Sequence, residues 1–132
     1  VRIKSDTEVT AKDWEDSHLV LWGDPASNAI LSQVAPSLPI SWQADAITVG
    51  KNKLSSADHA LICIYPNPLN PTRYVVLNSS FTFREYDYLN NARQTPKLPD
   101  WAIVDLRTPP NSRYPGKIAA ADFFDERWQV KK

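Results

Sequence analysis

Eleven prolines against three glycines cut this chain of 132 residues into short elements. Each proline fixes φ and removes a backbone donor, so neither a helix interior nor a central strand runs through one. So few glycines leave few sites for positive φ. The apolar segments between these bends are short and continuous: His18–Trp22, Ala60–Tyr65, Arg73–Asn78 and Trp101–Leu106. Short continuous runs bounded by turn residues read as buried strands, and the lack of alternation in Ala60–Tyr65 and Arg73–Asn78 argues that both faces of their sheet are covered.

Helical signals alternate with these strands. After Trp22 come Gly23, Asp24 and Pro25. Asp24 is placed to cap a helix and Pro25 suits a first helical position, where no N–H is required. Ala26, Ala29, Ile30 and Val34 supply an apolar face at helical spacing before Pro36 and Pro39 end it. A second helix is predicted from Thr82 to about Arg93, opened by a Thr82/Glu85 capping box with Phe81 and Tyr86 as the hydrophobic staple. Ala44–Val49 reads as a further strand and Gly50–Lys53 as a turn. The connection from Tyr65 to Arg73 is too short for a helical crossover, which allows that pair to run antiparallel. Strands alternating with helices predict a three-layer, Rossmann-like α/β fold, with a mostly parallel or mixed sheet of about five strands and flanking helices. Residues 1–17 are polar and weakly patterned and read as a leader or linker; residues 18–132 read as a single α/β domain.

Composition narrows the function. Fifteen basic residues balance fifteen acidic ones, so no net charge draws the chain to nucleic acid or anionic lipid. No apolar run approaches the roughly 20 residues that cross a bilayer as a helix. No signal-peptide pattern stands at the start, and a first residue of Val1 reads as a piece cut from a longer protein. The compartment stays open between bacterial cytoplasm, periplasm and secretion. Cys63 is the lone cysteine, in an apolar run where a thiol packs as a small hydrophobe.

No complete catalytic set is visible. The eleven serines include no Gly-x-Ser-x-Gly turn, and the two histidines, His18 and His59, each stand at the entrance of a predicted strand. An enzyme built on either would need a serine, cysteine or acid within hydrogen-bond reach. No spacing of ligands suggests a metal, and no glycine-rich loop suggests a nucleotide cofactor. Of the many aromatic residues, Trp22 and Trp101 fall in core strands; Tyr65, Tyr74, Trp14 and Trp128 are the surface candidates for stacking on a sugar.

The least generic segment is Tyr65-Pro66-Asn67-Pro68-Leu69-Asn70-Pro71. Its prolines stiffen it, and a stiff loop loses little entropy on binding. Together with the strand ends at Gly23, Asp24, Asn28 and Asn78, its Asn67 and Asn70 make up the candidate ligand-binding residues. Four segments, Leu-Trp-Gly-Asp-Pro-Ala-Ser-Asn (21–28), Leu-Pro-Ile-Ser-Trp (38–42), the proline segment through Ser79, and Phe-Arg-Glu-Tyr-Asp-Tyr-Leu-Asn-Asn-Ala-Arg (83–93), resemble a C-terminal domain of large bacterial proteins. In those proteins it follows an α/β-hydrolase catalytic domain of the prolyl-oligopeptidase or acetyl-xylan-esterase type. The resemblance implies a non-catalytic accessory domain that packs on the catalytic domain of its own parent chain or self-associates, and it transfers no catalytic residue. The alternative is a small-ligand or glycan module at the strand ends; an independent hydrolase is the third reading. An accessory domain predicts an exposed apolar patch, and a ligand module predicts a concave pocket with convergent polar groups.

Overall fold

The computed structural model describes residues 1–79, 98–109 and 116–132. The helix predicted over 82–93 lies outside the described residues. The core is a five-stranded sheet in the order β1-β6-β5-β7-β8, built from β1 (Leu19–Trp22), β6 (Asn70–Asn78), β5 (His59–Asn67), β7 (Trp101–Asp105) and β8 (Lys117–Asp122). Only β1 and β6 run parallel; β6–β5, β5–β7 and β7–β8 are antiparallel. A separate antiparallel sheet joins β2 (Ser41–Trp42), β3 (Ala46–Val49) and β4 (Asn52–Ser55) in sequence order. The described helices are α1 (Ala11–Asp16) and α2 (Ala29–Val34), of six residues each.

The expected three-layer Rossmann-like α/β architecture is therefore incorrect. A Rossmann sheet needs a helical crossover between successive parallel strands. Among the described residues one parallel pair exists, and between its two strands the chain builds α2, the whole second sheet and β5. The helical signal after β1 was over-read because its residues serve two structures. Asp24 Oδ1 accepts from the N–H groups of Ala26 and Ser27, closing a turn rather than a helix. Asn28 then caps α2, and the prolines at 36 and 39 leave room for fewer than two turns. A helix this short is unstable by itself and depends on burying Ile30, Leu31 and Val34.

One face of the large sheet makes the core. Leu21, Leu61, Cys63, Val75, Leu77, Trp101 and Ile103 join α2 and Ile47 and Val49 of the small sheet in one buried cluster. Burial pushes the Cys63 thiol up, far from the thiolate that nucleophilic chemistry requires. Residues 1–17, expected as a leader, are in contact with this body. Asp6 Oδ2 accepts from the Ala29 N–H at 2.7 Å, adding a second cap to α2 from 23 positions away. Val9 and Trp14 pack against the cluster. Among the described residues no helix is long and apolar enough to cross a membrane.

The proline segment is a hairpin. β5 and β6 extend into it, and Asn67 pairs with Asn70 around a turn at Pro68 and Leu69. Beside it, Tyr65 meets Phe124 and Trp128 edge-to-face at centroid distances of 5.4 and 5.7 Å, and Tyr74 lies 5.8 Å from Trp128. Rings packed edge-on to one another in this way stabilise the end of the sheet and offer little face to a sugar.

Candidate functional site: a cleft at one end of the sheet

The six residues predicted to bind a ligand fall into two groups at opposite ends of β5 and β6. A nine-residue strand rising about 3.3 Å per residue separates them by roughly 25 Å. Asn67 and Asn70 belong to the hairpin end, where Asn67 uses its Oδ1 and Asn70 both ends of its amide. Asn67 is buried and its Oδ1 accepts from the Leu69 N–H at 2.9 Å. Asn70 Nδ2 donates to the Trp14 and Glu15 carbonyls at 3.0 and 3.3 Å, and its Oδ1 accepts from the Thr72 hydroxyl at 2.8 Å. The loop thus clasps the end of α1.

Gly23, Asp24, Asn28 and Asn78 share the other end. Gly23 turns the chain out of β1 and donates its N–H to the Asn78 carbonyl at 3.3 Å. Asn28 is fully used: its Oδ1 accepts from Ile30 and Leu31, and its Nδ2 donates to the Trp22 carbonyl. Asn78 is buried at the end of β6, paired with Trp22 and Ile62 on its two sides. Of the six, Asp24 alone lines a cleft.

That cleft, of about 380 Å³, lies where four segments converge: the turn at Asp24–Ala26, the chain at Trp42–Ala44 leaving β2, the link from β4 into β5 with Ser56 and His59, and Ser79 just beyond β6. A second depression of about 450 Å³ adjoins it beside α2 and shares Pro25, Trp42 and Gln43 as walls. No protein family, curated protein or solved structure matches this chain.

His59, weighed in the sequence as a catalytic base and not as a ligand-binding residue, lines the cleft. It is 8% exposed, and its Nδ1 lies 2.9 Å from the Ser55 carbonyl oxygen. A carbonyl can only accept, so Nδ1 carries a proton and Nε2 is the ring nitrogen left for other partners. Asp58 Oδ1 lies 2.7 Å from the same Nδ1. Behind this pair, Arg107 Nε approaches Asp58 Oδ2 at 3.5 Å and the guanidinium grips Asp105 through Nε–Oδ1 at 2.9 Å and Nη2–Oδ2 at 2.7 Å. Asp105 faces His59 directly across the β5–β7 ladder. The sequence did carry a signal: an acid immediately before a histidine at the start of a buried strand.

The His59–Asp58 pair lacks a nucleophile among the described residues. The Ser79 hydroxyl donates to the Leu61 carbonyl at 2.9 Å and accepts from the Leu61 N–H, so it serves as a backbone splice. The Cys63 thiol is buried within the sheet. His18 is also structural, its Nδ1 accepting from the Tyr74 N–H at 2.9 Å. Among the described residues no group of three or more metal-ligating side chains occurs.

The carboxylates give the fold an acid-sensitive side. The Arg107 hydrogen bonds hold the Asp105 carboxyl well below the usual range, and the Lys4 ammonium with the Thr10 groups does the same for Asp13. The Ala29 N–H lowers Asp6, and the Gln129 N–H lowers Asp125. For each, the unfolded chain binds protons more readily than the folded one, so stability rises with pH across this range. The contribution is complete above about pH 5 and is lost progressively as pH falls below about 4. Urea midpoints measured at pH 7, 4.5 and 3 should therefore agree closely at the first two and drop at the third. Asp105→Asn should shrink that drop.

Proposed function

We propose that this chain is a non-catalytic interaction module that packs, through the outer face of its five-stranded sheet, onto a catalytic domain of the same longer polypeptide. The observation that carries the reading is an apolar strip on that face. Val20 of β1 and Ile64 of β5 both stand beside Val76 of β6, so their side chains share one side of the sheet. Val20 is 55% exposed, and Trp22 and Ile64 are each 36% exposed. Single exposed apolar residues are ordinary, but a contiguous strip across three strands marks a surface that another surface covers. The class of partner, a hydrolase catalytic domain, rests on the resemblance of segments 21–28, 38–42, 65–79 and 83–93.

Hydrogen exchange tests this reading in two preparations, the chain alone and the full gene product. Amides of β1 and of the adjoining part of β6 should exchange more slowly in the full product. The double substitution Val20→Glu with Ile64→Glu should abolish that difference while leaving the core amides protected. Equal exchange in both preparations, or a reading frame that encodes no catalytic domain beside this chain, overturns the proposal.

A further inference from the structure

We infer that the cleft between Asp24, Trp42 and His59 is a binding site for a neutral saccharide, whose hydroxyls donate to the protein and whose ring packs on Trp42. This site lies at the strand ends rather than on the outer sheet face, so it stands or falls separately from the interaction reading above.

The argument begins with the polar atoms that the fold leaves over. His59 Nδ1 is committed to the Ser55 carbonyl, and the ring lines the cleft, so Nε2 is the polar atom it has left. No described residue donates to it. Asp24 uses Oδ1 for the Ala26 and Ser27 N–H groups, and its Oδ2 has no partner among the described residues. The two hydroxyl hydrogens in the walls are already placed: Ser56 donates to the Ala44 carbonyl at 2.7 Å and Ser79 to the Leu61 carbonyl. The cleft therefore presents the Asp24 carboxylate as an acceptor and the Gln43 side-chain amide, which both donates and accepts, and its complement is a ligand whose groups do both, as hydroxyls do. Anions are disfavoured, because the one charged side chain in the walls is Asp24.

The apolar walls select among such ligands. Beside Gln43, the remaining surface is formed by Pro25, Ala26, Ala44 and the half-buried Trp42 ring. A pyranose combines an edge of hydroxyls with a face of C–H groups, and an indole face is the usual partner for the latter. Trp42 also walls the adjoining depression, with Pro25 and Gln43. Two compartments flanking one tryptophan suit a disaccharide, with one ring on each side. A simple ammonium or guanidinium would satisfy the acceptors but would leave the second compartment unfilled.

Two-dimensional NMR titration of the chain with cellobiose, with maltose and with N-acetylarginine amide tests the assignment. One of the disaccharides should shift the Trp42 indole and His59 resonances with millimolar affinity. Trp42→Ala should weaken that response by about three- to tenfold, as loss of a ring contact predicts, and Trp42→Phe should retain most of it. His59→Phe should remove it while Trp42 remains in place; should that variant fail to fold, the Trp42 pair still decides the matter. No shift with either disaccharide, a larger response to N-acetylarginine amide, or an affinity left unchanged by Trp42→Ala each overturns the inference.

Discussion

Leu61→Ala is expected to destabilise the domain by roughly 2–5 kcal/mol, the range for deleting a fully buried leucine. Leu61 lies in the central strand β5, is 0% exposed, and faces Ile103 of β7 in the cluster that also holds α2 and the small sheet. The backbone around it cannot relax into the space left by the truncated side chain. Its N–H and carbonyl are both held by the Ser79 hydroxyl, and β5 is flanked by strands on both sides. The cost should therefore fall in the upper part of that range. Three residues further along the same strand, Ile64 points to the outer face and is 36% exposed. Ile64→Ala should shift stability of the isolated chain by no more than about 0.5 to 1 kcal/mol. Urea unfolding of both variants checks this, with unchanged m-values expected. Similar losses at the two positions would mean that the outer face is as tightly packed as the core, and would remove the basis for a docking strip there.

The comparison between Leu61 and Ile64 also shows what the sequence could and could not reveal. The run from Ala60 to Tyr65 announces a strand because it is continuous and apolar, and the bounds of β1, β5, β6 and β7 follow from such runs with small extensions. Two-sided burial was expected of β5 and β6 and does not hold there, since Ile64 and Tyr74 are exposed; it is met in β7, whose five residues are all buried. Which residue of an all-apolar strand meets the core was not legible, since alternation is the signal that separates faces. The small sheet was half visible. A strand was expected over Ala44–Val49, of which β3 takes Ala46–Val49, whereas Asn52 and Lys53 of β4 were read as a turn because they lack β-branched side chains.

The helical error has a different origin. Asp24 and Pro25 are good helix-start chemistry, and the turn they make uses the same hydrogen bonds that a helix start would use. Local propensity cannot distinguish one closed turn from the first turn of a helix; burial of the following residues decides it. The second cap from Asp6 is a contact over 23 positions and carries no local signature. The cleft was hidden for the same reason. His59, Trp42 and Asp24 become neighbours only because the chain ends or turns four times at one end of the sheet. The proline loop, by contrast, drew attention through its composition, and its asparagines prove to be turn and clasp residues.

Gly116→Ala is expected to be the most damaging of the small substitutions outside the core. Gly116 precedes β8 with φ +112, a backbone conformation that residues with a Cβ rarely adopt. A Cβ there would lie 2.8 Å from the Thr108 carbonyl oxygen, and 3.3 Å from both the Asp105 carbonyl oxygen and Val104 Cγ1. Two of these three obstacles are backbone atoms, so rotating a side chain cannot relieve the clash. Strain in such regions costs on the order of 1–3 kcal/mol by itself, and the contact with Thr108 adds to it. Gly50 supplies the control. Its φ of +58 lies in the left-handed region that some other residues tolerate, and its Cβ would meet only Val130 Cγ1, at 3.1 Å. Gly50→Ala should accordingly cost about 1 kcal/mol, and Gly116→Ala at least twice that in the same urea titration. The Gly116 substitution should also reach the cleft. Asp105 pairs with Lys117 on one side and with His59 on the other, so displacing the Asp105 carbonyl moves the ladder that positions the imidazole. A shifted His59 resonance in Gly116→Ala, with an unchanged one in Gly50→Ala, is the result expected if the β7–β8 connection buttresses the site. Equal stability losses and an undisturbed His59 in both variants would instead show that the turn can relax without moving the sheet.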